Sequence, residues 1–135
     1  MGRRLASRGL EPQLLLTSTA TRALNTAELV RPAFTSSLPA LTTESRLYHA
    51  SPGEILNVIA EQADTIDSLV VVGHNPGMTY LCNMLVPALK LPNLPTAGAV
   101  SVLCDTDTWS AIDTARFRLA FYDYPKNPVD PERPG

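Results

Sequence analysis

The sequence predicts an α/β protein, three layers deep, with a mostly parallel sheet packed between helices. Leu69 to Val72 are four consecutive apolar residues, three of them valine, and such a run reads as a strand buried on both faces and central in its sheet. A second run, Gln13 to Thr17, reads as another short buried strand. Each run is followed by turn or capping residues and then by apolar residues at helical spacing, so the strand-to-helix junction occurs twice.

Gly2 to Arg8 reads as the end of a helix anchored by Leu5, with Gly9 as its stop and Pro12 just beyond. After the Gln13 strand, Ser18-Thr-Ala-Thr21 offers capping hydroxyls to a helix with Ala23, Ala27 and Val30 on one face. Pro32 to Thr43 is loop, enclosing a short extended segment near Leu38 to Leu41. Ser51 and Pro52 then take the capping and first positions of a helix carrying Ile55, Val58 and Ile59. Beyond the Leu69 strand, Gly73 permits close backbone approach, Pro76 sets a turn, and Met78, Leu81, Cys82 and Leu85 line one face of a helix. Pro87, Pro92 and Pro95 make a loop. Ala99 to Cys104 and Phe117 to Tyr122 read as strands flanking a turn and an extended Trp109 segment. Residues 1–128 form one domain by this reading, and 129–135, Pro-rich and without apolar period, are expected to be a mobile tail.

Composition narrows the function. A net charge of −2 over 135 residues gives no basic footprint for nucleic acid. No apolar stretch approaches the ~18 residues of a membrane span and no secretory signal opens the chain, so a cytoplasmic protein that meets neither membrane nor nucleic acid is expected. Cys82 and Cys104 lie far apart in apolar surroundings and read as reduced core thiols. With two histidines and no cysteine cluster, neither a metal nor another cofactor is expected. The histidine in Gly73-His-Asn-Pro-Gly77 stands where a serine hydrolase elbow needs serine, and no glycine-rich nucleotide loop follows a strand.

The two junctions hold the candidate chemistry. In open α/β sheets ligands bind beyond the carboxyl ends of strands, where helix N-termini offer free N–H groups to anions. His74 sits at one such junction, against the plainer alternative of a turn histidine satisfied by backbone. Arg22 lies in the first turn of the helix at the other, where the macrodipole disfavours a cation. It is either a solvated surface arginine or an anion clamp whose guanidinium grips phosphate oxygens in pairs. Ser18 would be a second donor beside it, though capping is its plainer role.

The order of these pieces resembles the histidine phosphatase superfamily, in its small phosphohistidine phosphatase branch of the SixA type. The resemblance rests on Thr17-Ser-Thr-Ala-Thr-Arg-Ala-Leu-Asn-Thr-Ala27, which is similar to that family's Ser-Pro-x-x-Arg-Ala-x-x-Thr-Ala helix start. It rests also on Leu47-Tyr48-His49-Ala50-Ser51, on Val72-Gly-His-Asn-Pro-Gly77, and on Pro95-Thr-Ala-Gly98 with the later Trp109. It implies a phosphoglycerate mutase-like fold and a metal-independent phosphatase acting through a phosphohistidine intermediate. The substrate would be a phosphorylated protein or small molecule carrying phosphohistidine, a related phosphoramidate or a phosphomonoester. His74 would stabilise the transferring group, Arg22 would hold its equatorial oxygens, backbone N–H groups near Asn75 would add to the phosphate cradle, and Ser18 and Thr96 would be peripheral donors. Glu44 is a weak candidate for proton donor, and His49 would approach from the rim.

One departure is large. Family members open with a strand ending Arg-His-Gly or Arg-His-Ala, whose histidine is the nucleophile, and this sequence contains no such motif. By analogy with the family layout, the start is expected to lie about 30 residues too late, leaving an N-terminally truncated chain without turnover. The alternative is a shortened member that serves as a non-catalytic phospho-ligand or protein-binding domain.

Overall fold

The computed structural model describes residues 1–36 and 38–128. The tail expected at 129–135 therefore lies outside the described residues. In chain order the elements are α1 (Gly2–Ser7), β1 (Leu14–Thr17), α2 (Thr21–Val30), β2 (Ala40–Thr43), α3 (Pro52–Ala60), β3 (Leu69–Val72), α4 (Gly77–Leu85), β4 (Ala99–Asp105) and β5 (Arg116–Asp123). Short 3₁₀ turns punctuate them, notably Ser45–Leu47 before α3 and Trp109–Thr114 between β4 and β5. The Trp109 segment is thus helical where extended backbone was predicted, and Trp109 donates its indole N–H to the Ile66 carbonyl at 2.8 Å. That bond fastens the turn beneath β3.

β1 lies between β2 and β3, parallel to both, with Thr17 level with Thr43 on one side and Val72 on the other. β4 and β5 form a separate antiparallel pair with a register shift at Ser101 and Val102. Alternation of side chains along β1 divides the core into two layers. Leu14 and Leu16 face α3 and α4 through Ile55, Val58, Ile59 and Leu81, and Leu15 faces α1 and α2 through Leu5, Val30 and Phe34. The chain is an α/β fold with helices on both faces of a parallel sheet.

The expectation that β3 is central is corrected, while its packing into both core layers matches the expectation of two covered faces. All four β3 residues are only partly buried, whereas all four of β1 are buried. β1 has a partner on each side while β3 pairs with β1 alone among the described strands, so β3 is an edge. The apolar faces of β3 are nevertheless used. Leu69 and Val71 border the α3/α4 layer with Cys104 and Phe117, and Val70 borders the α1/α2 layer with Ala99 and Phe121.

Caps follow the sequence in one case and not in another. Ser51 and Glu54 form a reciprocal capping box at α3, with Pro52 at the first helical position. At α2 the N-cap is Ala20, and no side chain caps the helix. The hydroxyls of Ser18 to Thr21 do not serve that purpose because Ser18 is turned toward β3. Gly9, with φ of 83°, ends α1 as predicted. A buried ion cluster then ties α1 to β5: Asp123 accepts from Arg4 at 2.8 and 3.0 Å and from Arg8 at 3.0 Å. Cys82 is buried and Cys104 partly so, both as free thiols, and burial raises the pKa of each.

Candidate active site

The parallel register places the carboxyl ends of β1, β2 and β3 on one edge of the sheet, and the residues after them meet there. Ser18 follows β1 directly, is fully buried, and hydrogen-bonds through its backbone N–H to the Val72 carbonyl at 3.0 Å. Its hydroxyl accepts from the Ala20 N–H at 3.2 Å and lies 2.8 Å from His74 Nε2. One hydroxyl thus shapes the turn into α2 and holds the imidazole that follows β3.

His74 is partly buried, with its ring turned into this edge. Burial lowers its pKa, and the positive charges of His49 and Arg22 lower it further. A neutral imidazole bonded to Ser18 is the form favoured at neutral pH without an anion. Arg22, exposed in the first turn of α2, is close enough to act electrostatically on His74. The sequence separates these groups widely and the register reunites them.

Asn75 uses its side chain to build the loop. Its Nδ2 donates to the Leu94 carbonyl at 2.8 Å, and its Oδ1 accepts from the Thr79 N–H at 3.2 Å and the Thr79 hydroxyl at 2.7 Å. The carboxamide therefore covers a free donor in the first turn of α4, where the N-cap Pro76 has no side-chain bond to offer. Leu94 in turn donates its N–H to the Thr79 hydroxyl at 2.9 Å. Leu94 is thereby moored to Asn75 and Thr79, and the turn that follows it is closed by the Gly98 N–H bonded to the Pro95 carbonyl at 2.8 Å. Thr96 is exposed on this turn and is not hydrogen-bonded to His74 or Ser18 among the described residues.

Glu44 leaves β2 at the same edge, its N–H bonded to the Thr17 carbonyl at 2.8 Å. Its carboxylate is committed to Arg46, which also grips Glu61, and the Arg46 hydrogen bonds lower its pKa. A carboxylate held ionised is a poor proton donor.

The approach of the Tyr48-His49 segment was not legible in the sequence beyond its motif. The His49 ring centre lies 5.3 Å from that of His74, and Tyr48 stands edge-on to both rings, 4.3 Å from His49 and 5.5 Å from His74. Close contact between Gly77 and the Ala50 carbonyl brings the two loops together, because a Cβ at Gly77 would overlap that oxygen. His49 also carries a φ of 49°, unusual for a residue with a side chain.

The fold has counterparts among solved structures. A protein named SixA from Agrobacterium tumefaciens superposes with a TM-score of 0.73 at 27% identity, over 92% of this chain and 75% of that one. The chain has the histidine phosphatase fold of the SixA type. The structure named SixA from Nakamurella multipartitia matches with a TM-score of 0.72 at 19% identity, over 93% of this chain and 77% of that chain, and supports the fold. No family model and no curated protein matches the sequence. Among the described residues of this SixA-like chain no cluster of three histidine, cysteine or acidic side chains is placed to hold a metal, and no helix is long and apolar enough to cross a membrane.

Proposed function

We propose that this SixA-like chain carries the phosphoryl-binding half of a metal-independent histidine phosphatase. The observation that carries the reading is the 2.8 Å contact between His74 Nε2 and Ser18 Oγ, with the charge of Arg22 acting on the same imidazole. Its ligand is a phosphoryl dianion on a phosphorylated protein or small molecule, and phosphohistidine or a phosphoramidate fits the fold's named relatives. Arg22 offers paired N–H donors to equatorial oxygens, and His74 gains a proton and donates to the transferring group. Neither residue is the nucleophile. Electrostatic and covalent roles reside on different groups, so binding survives without the family's Arg-His-Gly/Ala motif while turnover does not.

The only other histidine is His49, exposed and in a loop unlike the nucleophile's strand. That observation favours a second reading, a non-catalytic domain that binds phosphorylated ligands. Calorimetry with inorganic phosphate and a turnover assay with a phosphoramidate test both. Phosphate binding that His74→Ala abolishes supports the pocket, and absence of binding discards it. Recovery of turnover, insensitive to chelator, in a longer form bearing an Arg-His-Gly/Ala strand selects the phosphatase. An inert longer form selects the binding domain.

A further inference from the structure

We propose that Tyr48 and His49 form a ledge that receives a planar ring attached to the bound phosphoryl group, so that the site selects aromatic or heteroaromatic phosphates over alkyl ones. The inference rests on the phosphoryl site proposed above. Leu47 and Ala50 are buried at 1% and 6% exposure, and they pin the segment at both ends. Between these anchors Tyr48 is 54% exposed and His49 is also exposed. The burial of apolar surface therefore does not account for Tyr48. Its ring instead stands edge-on to His49 and His74, at 4.3 and 5.5 Å between centres, on the rim of the phosphoryl site.

The backbone holds the ledge in place. His49 adopts a φ of 49°, a conformation that residues with a Cβ rarely take. The Gly77 contact with the Ala50 carbonyl fixes the next residue against α4. A strained, exposed imidazole beside an exposed phenol is a wall of two π-faces and edges, which attracts a flat ring in offset or edge-on geometry. A saturated ring of the same size gains little from it.

Calorimetric titration of the chain with inorganic phosphate, phenyl phosphate and cyclohexyl phosphate tests the ledge. Phenyl phosphate is expected to bind roughly three- to tenfold more tightly than cyclohexyl phosphate. Tyr48→Leu, which keeps apolar bulk without a ring, is expected to bring that ratio close to one. His49→Asn tolerates positive φ and should lower the ratio while retaining the fold. Equal affinities in the unaltered chain, or a ratio that persists in Tyr48→Leu, would overturn the ledge and leave the phosphoryl site standing. Failure of all three ligands to bind would overturn the site and the ledge together.

Discussion

His74 Nε2 and the Ser18 hydroxyl meet at 2.8 Å although 56 positions separate them, so the residues after β1 and β3 act as one unit. Ser18 is buried and its hydroxyl also sets the turn into α2. In Ser18→Ala the imidazole loses its orienting partner. Phosphate affinity measured by calorimetry should fall about three- to tenfold, the equivalent of one net hydrogen bond of ~0.5–1.5 kcal/mol. His74→Ala should lose more. An undiminished affinity in Ser18→Ala would show that the contact does not position the ring for binding.

Arg22 should matter more than the rim. A hydrogen bond from a charged group is worth about 1.5–3 kcal/mol, so Arg22→Ala is expected to weaken phosphate binding on the order of tenfold or more at low salt. Arg22→Lys retains charge without the planar two-point grip and should fall between. In an active longer form, loss of such a donor should reduce turnover by about 10²–10³, with His49→Ala affected far less. Near-normal turnover in Arg22→Ala beside an inactive His49→Ala would reverse the assignment.

The pH response of His74 has a definite sign. Burial and then the charges of His49 and Arg22 lower its pKa in the folded chain. Between that value and the unfolded value near 6.5 the unfolded chain binds more protons, so this group's stabilising contribution is complete above the unfolded pKa and declines as pH falls through the window. A bound dianion acts oppositely by favouring imidazolium. Proton NMR of the His74 ring should therefore show a pKa below that of free histidine, moved upward by phosphate. A downward or absent shift on saturation would place the anion elsewhere.

Gly77→Ala tests the contact between loops. The new Cβ would overlap the Ala50 carbonyl, which is backbone and cannot swing aside. Denaturant unfolding should show a loss of about 1–3 kcal/mol, and ring-current shifts of Tyr48 and His49 should change with it. Unaltered stability would mean that the segment moves freely.

Asp123 supplies a control remote from the site. Burial alone would push its carboxyl up, but hydrogen bonds from Arg4, Asn127, Arg8 and the Tyr124 backbone hold it well below the usual carboxylate range. Its stabilisation is present above the unfolded pKa and is lost as pH falls below it toward the folded value. Asp123→Asn removes the charge that both arginines meet and should cost about 3–5 kcal/mol at pH 7, with a smaller cost at pH 3. A pH-independent loss would assign Asp123 to packing rather than charge.

What the sequence determined by itself was local. The period of apolar residues set α2, α3 and α4, the Ser51-Pro52 signal set a cap that formed as written, and Gly9 ended α1. The strand-to-helix junctions at Ser18 and His74 were legible because short spacings and turn residues encode them directly, and the motifs there resemble one family whose fold the chain shares. Tertiary structure decided what depends on neighbours. Leu69 to Val72 has the composition of a central strand, yet β1 holds the centre and β3 lies at an edge, since hydrogen-bond partners are assigned between strands and not within them. Asn75 is marked by its motif, and only the fold shows that its carboxamide bonds Thr79 and Leu94. His49 reads as a loop histidine until the Gly77 approach to Ala50 carries it to His74, a distance in space that no spacing along the chain records.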